Sequence, residues 1–224
     1  MSKTYLCLQK AKRKEVKLLE GKLIEIQNSE KIIIEPVYFL QGIPHTIDKC
    51  YVRETVAKKI LKIANSLPKG FKLKIYDAWR PFEVQKYLYN QYKEQIRENN
   101  KDLSEIEIDE LVKVFVSEPI RDAGIAPLHC TGGAIDLTIT HENGTELNMG
   151  TGFDDFSENA HTNHYINEEI KKNREFLYNL MKEEGFINLG SEWWHYDYGD
   201  KHWAKQTGNE IIYNGIFETE NAPL

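Results

Sequence analysis

Residues 129–139 read His-Cys-Thr-Gly-Gly-Ala-Ile-Asp-Leu-Thr-Ile. The two glycines allow a sharp turn of the backbone, because glycine adopts conformations that other residues avoid. After the turn, polar and apolar residues alternate, as is typical of a strand. The pattern predicts a strand over residues 134–139, with Asp136 and Thr138 on one face and three aliphatic side chains on the face toward the core. His129 then lies in the loop that leads into this strand.

The sequence on both sides of this strand mixes helical and extended patterns. Apolar residues recur at helical spacing in four segments, and aliphatic or alternating runs mark four further extended segments. Residues 142–145, Glu-Asn-Gly-Thr, predict a hairpin turn. We therefore expect an α+β fold in which helices flank a central, mostly antiparallel sheet. The predicted helices span residues 55–64, 81–92, 104–116 and 167–184, and the extended segments span 32–40 with a break at Pro36, 71–75, 193–198 and 211–213.

Length and composition indicate one folded domain. The chain has 224 residues, of which 41% are hydrophobic and 29% charged, as is usual for a globular protein. No repeat or low-complexity segment suggests a second domain. We expect a single domain over residues 1–224, in which residues 1–50 form an N-terminal extension packed on a core of about 51–215.

Charge and hydropathy limit which partners and which cellular compartment we expect. The net charge of −6 gives no general reason to expect nucleic acid or an anionic membrane as a partner. No segment approaches the roughly 20 apolar residues that span a bilayer, and the N-terminus lacks the apolar region of a secretory signal. Three cysteines, Cys7, Cys50 and Cys130, are too few for a disulfide framework. These features predict a cytoplasmic protein without a membrane segment, and they predict nothing about its oligomeric state.

A second segment, Glu-Trp-Trp-His at residues 192–195, supplies a partner for His129 and Asp136. Two imidazoles and one carboxylate suit a catalytic Zn²⁺, because they leave a fourth position for water. Alone, His129 and Asp136 are more simply explained as a surface histidine and an ordinary strand aspartate. For residues 192–198 the less favoured alternative is an aromatic-rich strand with a hydrogen-bonded core histidine. Together, the segments favour a hydrolase site in which Glu192, at the strand's entrance or on a bend, accepts a proton from water.

Other residues near these segments allow two interpretations each. Arg80 lies in Tyr-Asp-Ala-Trp-Arg-Pro, residues 76–81, and is either a surface guanidinium paired with an acid or a fixed cation that stabilises an oxyanion. Cys130 could be a nucleophile or ligand, but adjacent residues on extended chain point apart, so we interpret it as structural. His161 and His164 could form a second metal pair, but no carboxylate motif accompanies them, and we favour surface roles.

In their order along the chain, these segments resemble the zinc D,D-peptidases. The matching motifs are Tyr-Asp-Ala-Trp-Arg-Pro at 76–81, His-x6-Asp at 129–136 and Glu-x-Trp-His at 192–195. Within that family the chain is most similar to the D-alanyl-D-alanine dipeptidases associated with vancomycin resistance and with D-Ala-D-Ala recycling. The resemblance extends from about residue 73 to 198 and includes Phe-Asp at 153–154.

The resemblance implies a function and a role for each site residue. It implies one Zn²⁺ per chain, a small D,D-dipeptide as substrate, and hydrolysis of D-Ala-D-Ala to D-alanine by a metal-activated water. It implies Glu192 as general base and acid, Arg80 as the cation of the transition state, and Asp154 as the acceptor of the dipeptide's free α-ammonium. The alternative for Asp154 is a solvated acidic loop shared with Asp155. The implied zinc ligands are His129, Asp136 and His195.

The chain departs from the family pattern just before the first implied ligand. Many members carry serine two residues earlier, whereas this chain has Pro127, followed by Leu128. The departure bears on which dipeptide is preferred and leaves hydrolysis unaffected. Two alternatives stay open. A cell-wall D,D-carboxypeptidase or endopeptidase of the same family would normally carry a signal peptide or wall-binding module, and a non-catalytic zinc-stabilised binding domain would have no need of Glu192 or Arg80.

Overall fold

The computed structural model describes residues 22–217, and its central feature is a sheet flanked by helices. The strands are β1 (Leu23–Ile26), β2 (Ile32–Ile34), β3 (Cys50–Arg53), β4 (Phe71–Asp77), β5 (Ala134–His141), β6 (Ile187–Asn188) and β7 (His195–Asp197). The helices are α1 (Val37–Leu40), α2 (Glu54–Ser66), α3 (Phe82–Asn99), α4 (Glu105–Val112), α5 (Glu168–Glu183) and α6 (Lys201–Thr207).

The strands form one large and one small sheet. The five-stranded sheet has the order β2-β4-β5-β7-β6, and β1 pairs with β3 in a separate two-stranded sheet. Neighbouring strands are antiparallel in every pair except β2 and β4, which are parallel. The prediction of an α+β fold with a mostly antiparallel sheet is therefore confirmed.

Strand β5 lies in the middle of the sheet and is buried from Ala134 to Thr140. Its aliphatic residues join the main core, as the alternation of the sequence predicts, and Asp136 lies between two of them. The register between β4 and β5 shifts after Ile75, so that Asp77 lies opposite Asp136. Two carboxylates are thus neighbours at one end of the sheet, where a polar site is to be expected.

Helices α2 and α5 pack apolar stripes into the main core. Val56, Ile60 and Ile63 of α2 are buried there, and so are Leu177 and Met181 of α5. Each set follows the spacing of one helix face, which is why the sequence pattern located both helices. The aliphatic face of β5 belongs to the same core. Two helices that are far apart in sequence, α2 and α5, therefore help to hold the central strand in place.

Helices α3 and α4 form a hairpin with an apolar cluster of its own. Tyr89 of α3 packs there with Ile108 and Val112 of α4. The start of α4 is fixed by a capping box, in which Ser104 and Glu107 each satisfy a backbone N–H of the other. This hairpin forms one wall of the cavity described below.

Two predictions about extended chain are wrong. Residues 37–40 form helix α1, because Leu40 donates a backbone hydrogen bond of 3.0 Å to Pro36 O. Residues 211–213 form no strand, because the backbone N–H groups of Ile212 and Tyr213 both donate to Gly199 O, at 2.7 and 2.9 Å. In both places a carbonyl outside the strands accepts the backbone hydrogen bonds that would otherwise go to a neighbouring strand.

Two predicted elements are shorter than expected. Strand β7 begins at His195 instead of residue 193, because Trp193 N–H donates to Ala160 O, outside the sheet, at 3.1 Å. Helix α4 ends at Val112 instead of residue 116. The backbone N–H of Phe115 donates to Val112 O at 3.2 Å, a tighter turn than that of an α-helix.

Some expectations fall on residues that the structure does not describe. The N-terminal segment used to predict a cytoplasmic location, together with Cys7, lies outside residues 22–217. The division into an extension of residues 1–50 and a core of about 51–215 stays a prediction. Within the described part of the chain, no helix combines the length and the apolar character needed to cross a membrane.

Candidate metal centre and active site

Three buried side chains converge at the end of the sheet. Asp136 on β5 and His195 on β7 are paired directly in the sheet register, and His129 lies on the short helical turn of residues 129–131. One possible ligand atom from each residue lies within 4.8 Å of the others. The Nε2 atom of His129 is 3.2 Å from Asp136 Oδ2, and the Nδ1 atom of His195 is 2.9 Å from Asp136 Oδ1. The residues that the sequence proposes as zinc ligands are thus brought together.

The two glycines place His129 beside the strand. Gly132 has a φ of 72°, in the left-handed region that favours glycine. A Cβ atom on Gly133 would lie 2.4 Å from the backbone oxygen of Tyr198, so no larger residue fits there. The chain therefore turns tightly enough for the imidazole of His129 to reach the carboxylate of Asp136.

Hydrogen bonds behind the two imidazoles determine which ring nitrogen is free. His129 Nδ1 lies 2.7 Å from Ala78 O, and because a carbonyl only accepts, that nitrogen donates and carries the proton. His195 Nε2 donates to Asp197 Oδ1 at 2.8 Å. The unprotonated atoms are then His129 Nε2 and His195 Nδ1, which face each other at 3.2 Å.

The arrangement fits a divalent cation. Two nitrogen lone pairs and a carboxylate repel one another at these distances unless a proton or cation lies among them. Burial alone would raise the pKa of Asp136, but positive charge on the adjacent imidazoles of His129 and His195 holds it well below its usual range, and a cation bound among the three residues would act in the same direction. Two imidazoles and a carboxylate form a donor set that zinc accepts readily. These residues are therefore suited to hold the metal that the sequence predicts.

A second carboxylate extends this network behind His195. Asp197 is fully buried, and its second oxygen accepts a 2.7 Å hydrogen bond from Nδ1 of His202. The carboxylate of Asp197 thus bridges two imidazoles. Sequence analysis missed both Asp197 and His202, although the spacing of Asp197, two residues beyond His195 on a strand, is a usable signal.

Glu192 lies on the bend that precedes β7 and is buried beside the three converging residues. Its Oε2 atom is 3.9 Å from His195 Nδ1, whereas Oε1 is buried without a hydrogen-bond partner. Burial raises the pKa of Glu192 to about 8, with the carboxylates of Asp136 and Asp154 adding to the effect. A carboxyl group with these properties can exchange a proton near neutral pH.

Arg80 is held rigidly at the edge of the same site. Its Nε and Nη2 atoms lie 2.9 and 2.7 Å from Asp77 Oδ2, and Nη1 donates to Gln85 Oε1 at 2.8 Å. The Tyr38 ring lies against the guanidinium, 5.0 Å from its centroid to the Arg80 Cζ atom. Nη2 is also 3.9 Å from Asp136 Oδ2. The cation is therefore fixed in position beside the proposed ligands.

Sequence analysis missed the residues that orient Arg80. Asp77 lies three residues before it in the same motif, and a nearby acid was expected only if Arg80 were on the surface. Gln85 on α3 is 1% exposed, and its amide also donates to Ser117 O, so it links Arg80 to the segment that follows α4. No sequence pattern points to Tyr38, because the segment that contains it is predicted to be extended.

Asp154 reaches the site from a loop. It has a φ of 59°, which is unusual for a residue other than glycine, and its side chain is half-buried. Burial raises the pKa of Asp154 to about 7, although a hydrogen bond from the Tyr38 hydroxyl acts in the opposite direction. A positively charged group bound next to this carboxyl would favour its ionised form.

All six candidate residues line one cavity of about 320 Å³. The cavity is bounded on one side by Tyr92 and Phe115 of the helical hairpin, which contact Phe156 from the loop after Asp154. The six residues are Arg80, His129, Asp136, Asp154, Glu192 and His195.

The other candidates lie apart from this site. Cys130 is fully buried with Phe82 and Ala126, and burial raises the pKa of its thiol to about 12, so it is no nucleophile. Within residues 22–217, no second group of three potential ligands includes His161 or His164.

Comparisons with known proteins identify the family to which the chain belongs. Residues 41–212 match the model of the peptidase M15 family, described as D-ala-D-ala dipeptidase. The chain is 31% identical over 129 residues to the D-alanyl-D-alanine dipeptidase of Escherichia coli (strain K12), a match that covers 57% of this chain and 55% of that protein. It is 26% identical over 156 residues to the D-alanyl-D-alanine dipeptidase of Synechocystis sp., covering 61% and 63%.

These matches are partial in length. The chain spans between about half and two thirds of the curated relatives. Among solved structures, a vancomycin resistance D,D-pentapeptidase VanY in complex with Zn(II) aligns over 85% of this chain and 87% of that chain, with a TM-score of 0.46 and 14% identity. The family match spans most of the chain and includes every candidate residue of the cavity. The chain therefore belongs to the D-Ala-D-Ala dipeptidase family of peptidases, M15.

Proposed function

We propose that this protein is a zinc-dependent dipeptidase that hydrolyses D-Ala-D-Ala to two molecules of D-alanine. The observation that carries the proposal is the unpaired Oε1 atom of the buried Glu192, next to three converging potential ligands in one cavity. A binding domain has no use for a buried carboxylate left without a partner, whereas a hydrolase needs one to move a proton.

One zinc ion would be held by His129, Asp136 and His195. When bound, zinc would polarise the scissile carbonyl and make water acidic enough to lose a proton near neutral pH. Ala78 O and Asp197 keep the free ring nitrogen of each histidine directed at the site.

Glu192 would carry the proton through the reaction. Its carboxylate takes a proton from the attacking water, whose oxygen forms a bond to the carbonyl carbon of the peptide. The same carboxyl group then gives the proton to the leaving amine as the C–N bond breaks, which yields the second D-alanine. Burial favours the protonated form of Glu192, whereas a bound cation would favour the ionised form, so the two opposing effects suit a group that first takes and then gives a proton.

Arg80 and Asp154 would bind the reacting dipeptide at two points. The guanidinium of Arg80 stabilises the negative charge that develops on the carbonyl oxygen, and its bonds to Asp77 and Gln85 hold it ready for this role. Asp154 receives the α-ammonium of the dipeptide, which favours the ionised form of a carboxyl whose pKa is otherwise about 7. Selection for a free amine distinguishes a dipeptidase from an enzyme that trims long peptides.

The first test is a comparison of three substrates. Zinc-loaded protein is incubated with D-Ala-D-Ala, L-Ala-L-Ala and N-acetyl-D-Ala-D-Ala, and released alanine is measured. We expect cleavage of free D-Ala-D-Ala alone. Cleavage of the acetylated compound would identify a D,D-carboxypeptidase instead, and cleavage of none of them with zinc bound would contradict the proposal.

A variant tests the role of Glu192. Glu192→Gln should reduce kcat by about 10²-fold to 10⁴-fold, the usual contribution of a general base, while zinc content stays the same. The control is Glu183→Gln, because Glu183 is an exposed glutamate on α5. Full activity of Glu192→Gln would assign the proton transfer to another group.

A further inference from the structure

A buried arginine, Arg174, lies on helix α5 and is only 2% exposed. Within residues 22–217, no carboxylate lies at ion-pair distance from its guanidinium. All its recorded hydrogen bonds go instead to backbone carbonyls. Burying a charge without a counter-ion is unfavourable, so a cation retained here needs a reason beyond packing.

The carbonyls that Arg174 binds belong to one loop, residues 149–164, which we call the site loop. Arg174 donates to Met149 O at 2.7 Å, at the start of the loop. At the other end it donates to the backbone oxygens of Asn159, His161 and His164, at 2.8, 2.6 and 3.0 Å. A single planar guanidinium therefore ties both ends of the site loop together.

The site loop carries Asp154 between these two ends. Near its start, Gly150 has a φ of 88°, and a Cβ atom there would lie 3.0 Å from the Ile170 side chain, so the loop passes tightly against α5. Asp154 follows in the left-handed region, with a φ of 59°. Such a conformation persists only where the surroundings hold the backbone in place.

Other contacts anchor the early part and the far end of the site loop, where Thr162 N–H donates to Gly190 O at 3.0 Å and Trp193 N–H donates to Ala160 O at 3.1 Å. The Trp193 indole donates to Thr151 Oγ1 at 2.8 Å, and the Phe153 ring stacks on Tyr76 with 4.8 Å between centroids. These contacts set where the loop meets the cavity. The bonds of Arg174 add a direct link between Met149 O and the carbonyls of the far end, on either side of Asp154.

We infer that Arg174 is a positioning residue for Asp154 and that it sets the selectivity of the site for a free α-amine. The inference rests on the proposed function, in which Asp154 receives that amine. Arginine is suited to the task because its planar fork presents five N–H groups from three nitrogen atoms, and so spans carbonyls on two sides of the loop, whereas the three N–H groups of lysine all start from one nitrogen.

The kinetic test uses Arg174→Lys and Arg174→Met, with Lys172→Met as the control because Lys172 is exposed on the same helix. We expect both Arg174 variants to raise KM for D-Ala-D-Ala about tenfold and to change kcat by less than about threefold, since binding is lost while Glu192 stays in place. Zinc content should match the wild type. Unchanged KM in a folded Arg174→Met protein would overturn the inference.

A double-mutant cycle separates positioning from a merely structural role. In an Asp154→Asn background, Arg174→Lys should raise KM by no more than about twofold, because the group that it positions is already neutral. The same tenfold loss in both backgrounds would show that Arg174 acts on stability alone. If Asp154→Asn itself leaves selectivity for the free amine intact, the proposed role of Asp154 fails, whatever the Arg174 variants do.

Amide hydrogen exchange tests, without substrate, whether Arg174 holds the site loop in place. Arg174→Lys should raise exchange at least about tenfold in residues 149–164 and leave residues 129–136 and 192–197 as in the wild type. Lys172→Met should change neither region. If the site loop exchanges at the same rate in the wild type and in Arg174→Lys, the inference is overturned, even if no dipeptide is cleaved.

Discussion

The proposed role of His195 as a metal ligand requires that its proton stay on Nε2, away from Asp136. Asp197 holds it there, through a hydrogen bond of 2.8 Å in a fully buried setting. His202 occupies the other oxygen of Asp197 and keeps the carboxylate from turning. Partners of this kind orient ligands in metal sites generally, and their loss weakens metal binding.

We therefore expect Asp197→Asn to weaken zinc binding about 10-fold to 100-fold, without removing a ligand. The amide has no charge to stabilise the proton on His195, and it can turn to present its NH₂ group. Competition with a chromophoric chelator measures the affinity. The control is Asp155→Asn, an exposed aspartate on the site loop. Equal affinities of Asp197→Asn and wild type would show that His195 is oriented by packing instead.

At the scale of elements, local patterns located much of the chain. Helix α5 and strand β5 appear within a residue or two of their predicted limits, because each has a clear period of apolar residues and a recognisable end. The motifs that brought His129, Asp136, Glu192 and His195 together are likewise short.

What the sequence could not supply are contacts made through the backbone or over long separations. Ala78 orients His129 by its carbonyl, which any residue would provide. Arg174 binds carbonyls 10 to 25 residues away, so no motif contains both partners. The sequence does not identify helix α1, because four hydrophobic residues after a proline suit a strand as well as a helical turn.

The turn between His129 and Asp136 makes a prediction at this scale. Gly133→Ala would place a methyl group 2.4 Å from the backbone oxygen of Tyr198, and backbone cannot move aside cheaply. We expect a loss of about 1–3 kcal/mol in the free energy of unfolding, together with weaker zinc binding, because β5 and β7 must separate. Chemical denaturation measures the first effect.

Gly190→Ala is the matched control for this change. A Cβ atom on Gly190 meets nothing within 4 Å, and its φ lies outside the left-handed region. This variant should have nearly the stability of the wild type. If Gly133→Ala is as stable as Gly190→Ala, the turn is more adaptable than its close contact with Tyr198 suggests.

At the scale of the whole molecule, the main hydrophobic core contains none of the three proposed metal ligands. It is built from the aliphatic residues of β5 and the apolar faces of α2 and α5, all within one cluster. A chain of 224 residues can bury enough apolar surface to fold without a metal, unlike small zinc domains.

We therefore expect the chelated protein to stay folded and to unfold cooperatively, but without activity. Free zinc at about 100 times its Kd should add about 2.7 kcal/mol, which raises Tm by roughly 5–10 °C for a domain of this size. Circular dichroism and calorimetry, with and without zinc, measure these changes. Unfolding on chelation would instead favour the zinc-stabilised binding domain.

The hydrogen bonds that orient the two histidines differ in how readily an amino-acid substitution can remove them. The proton of His129 is held by the main chain at residue 78, so no amino-acid replacement there deletes the acceptor. The proton of His195 is held by the side chain of Asp197, which a single amino-acid substitution can remove. Natural variation can therefore adjust metal affinity at position 197 while the ligands themselves, and the half of the site around His129, are inherited unchanged.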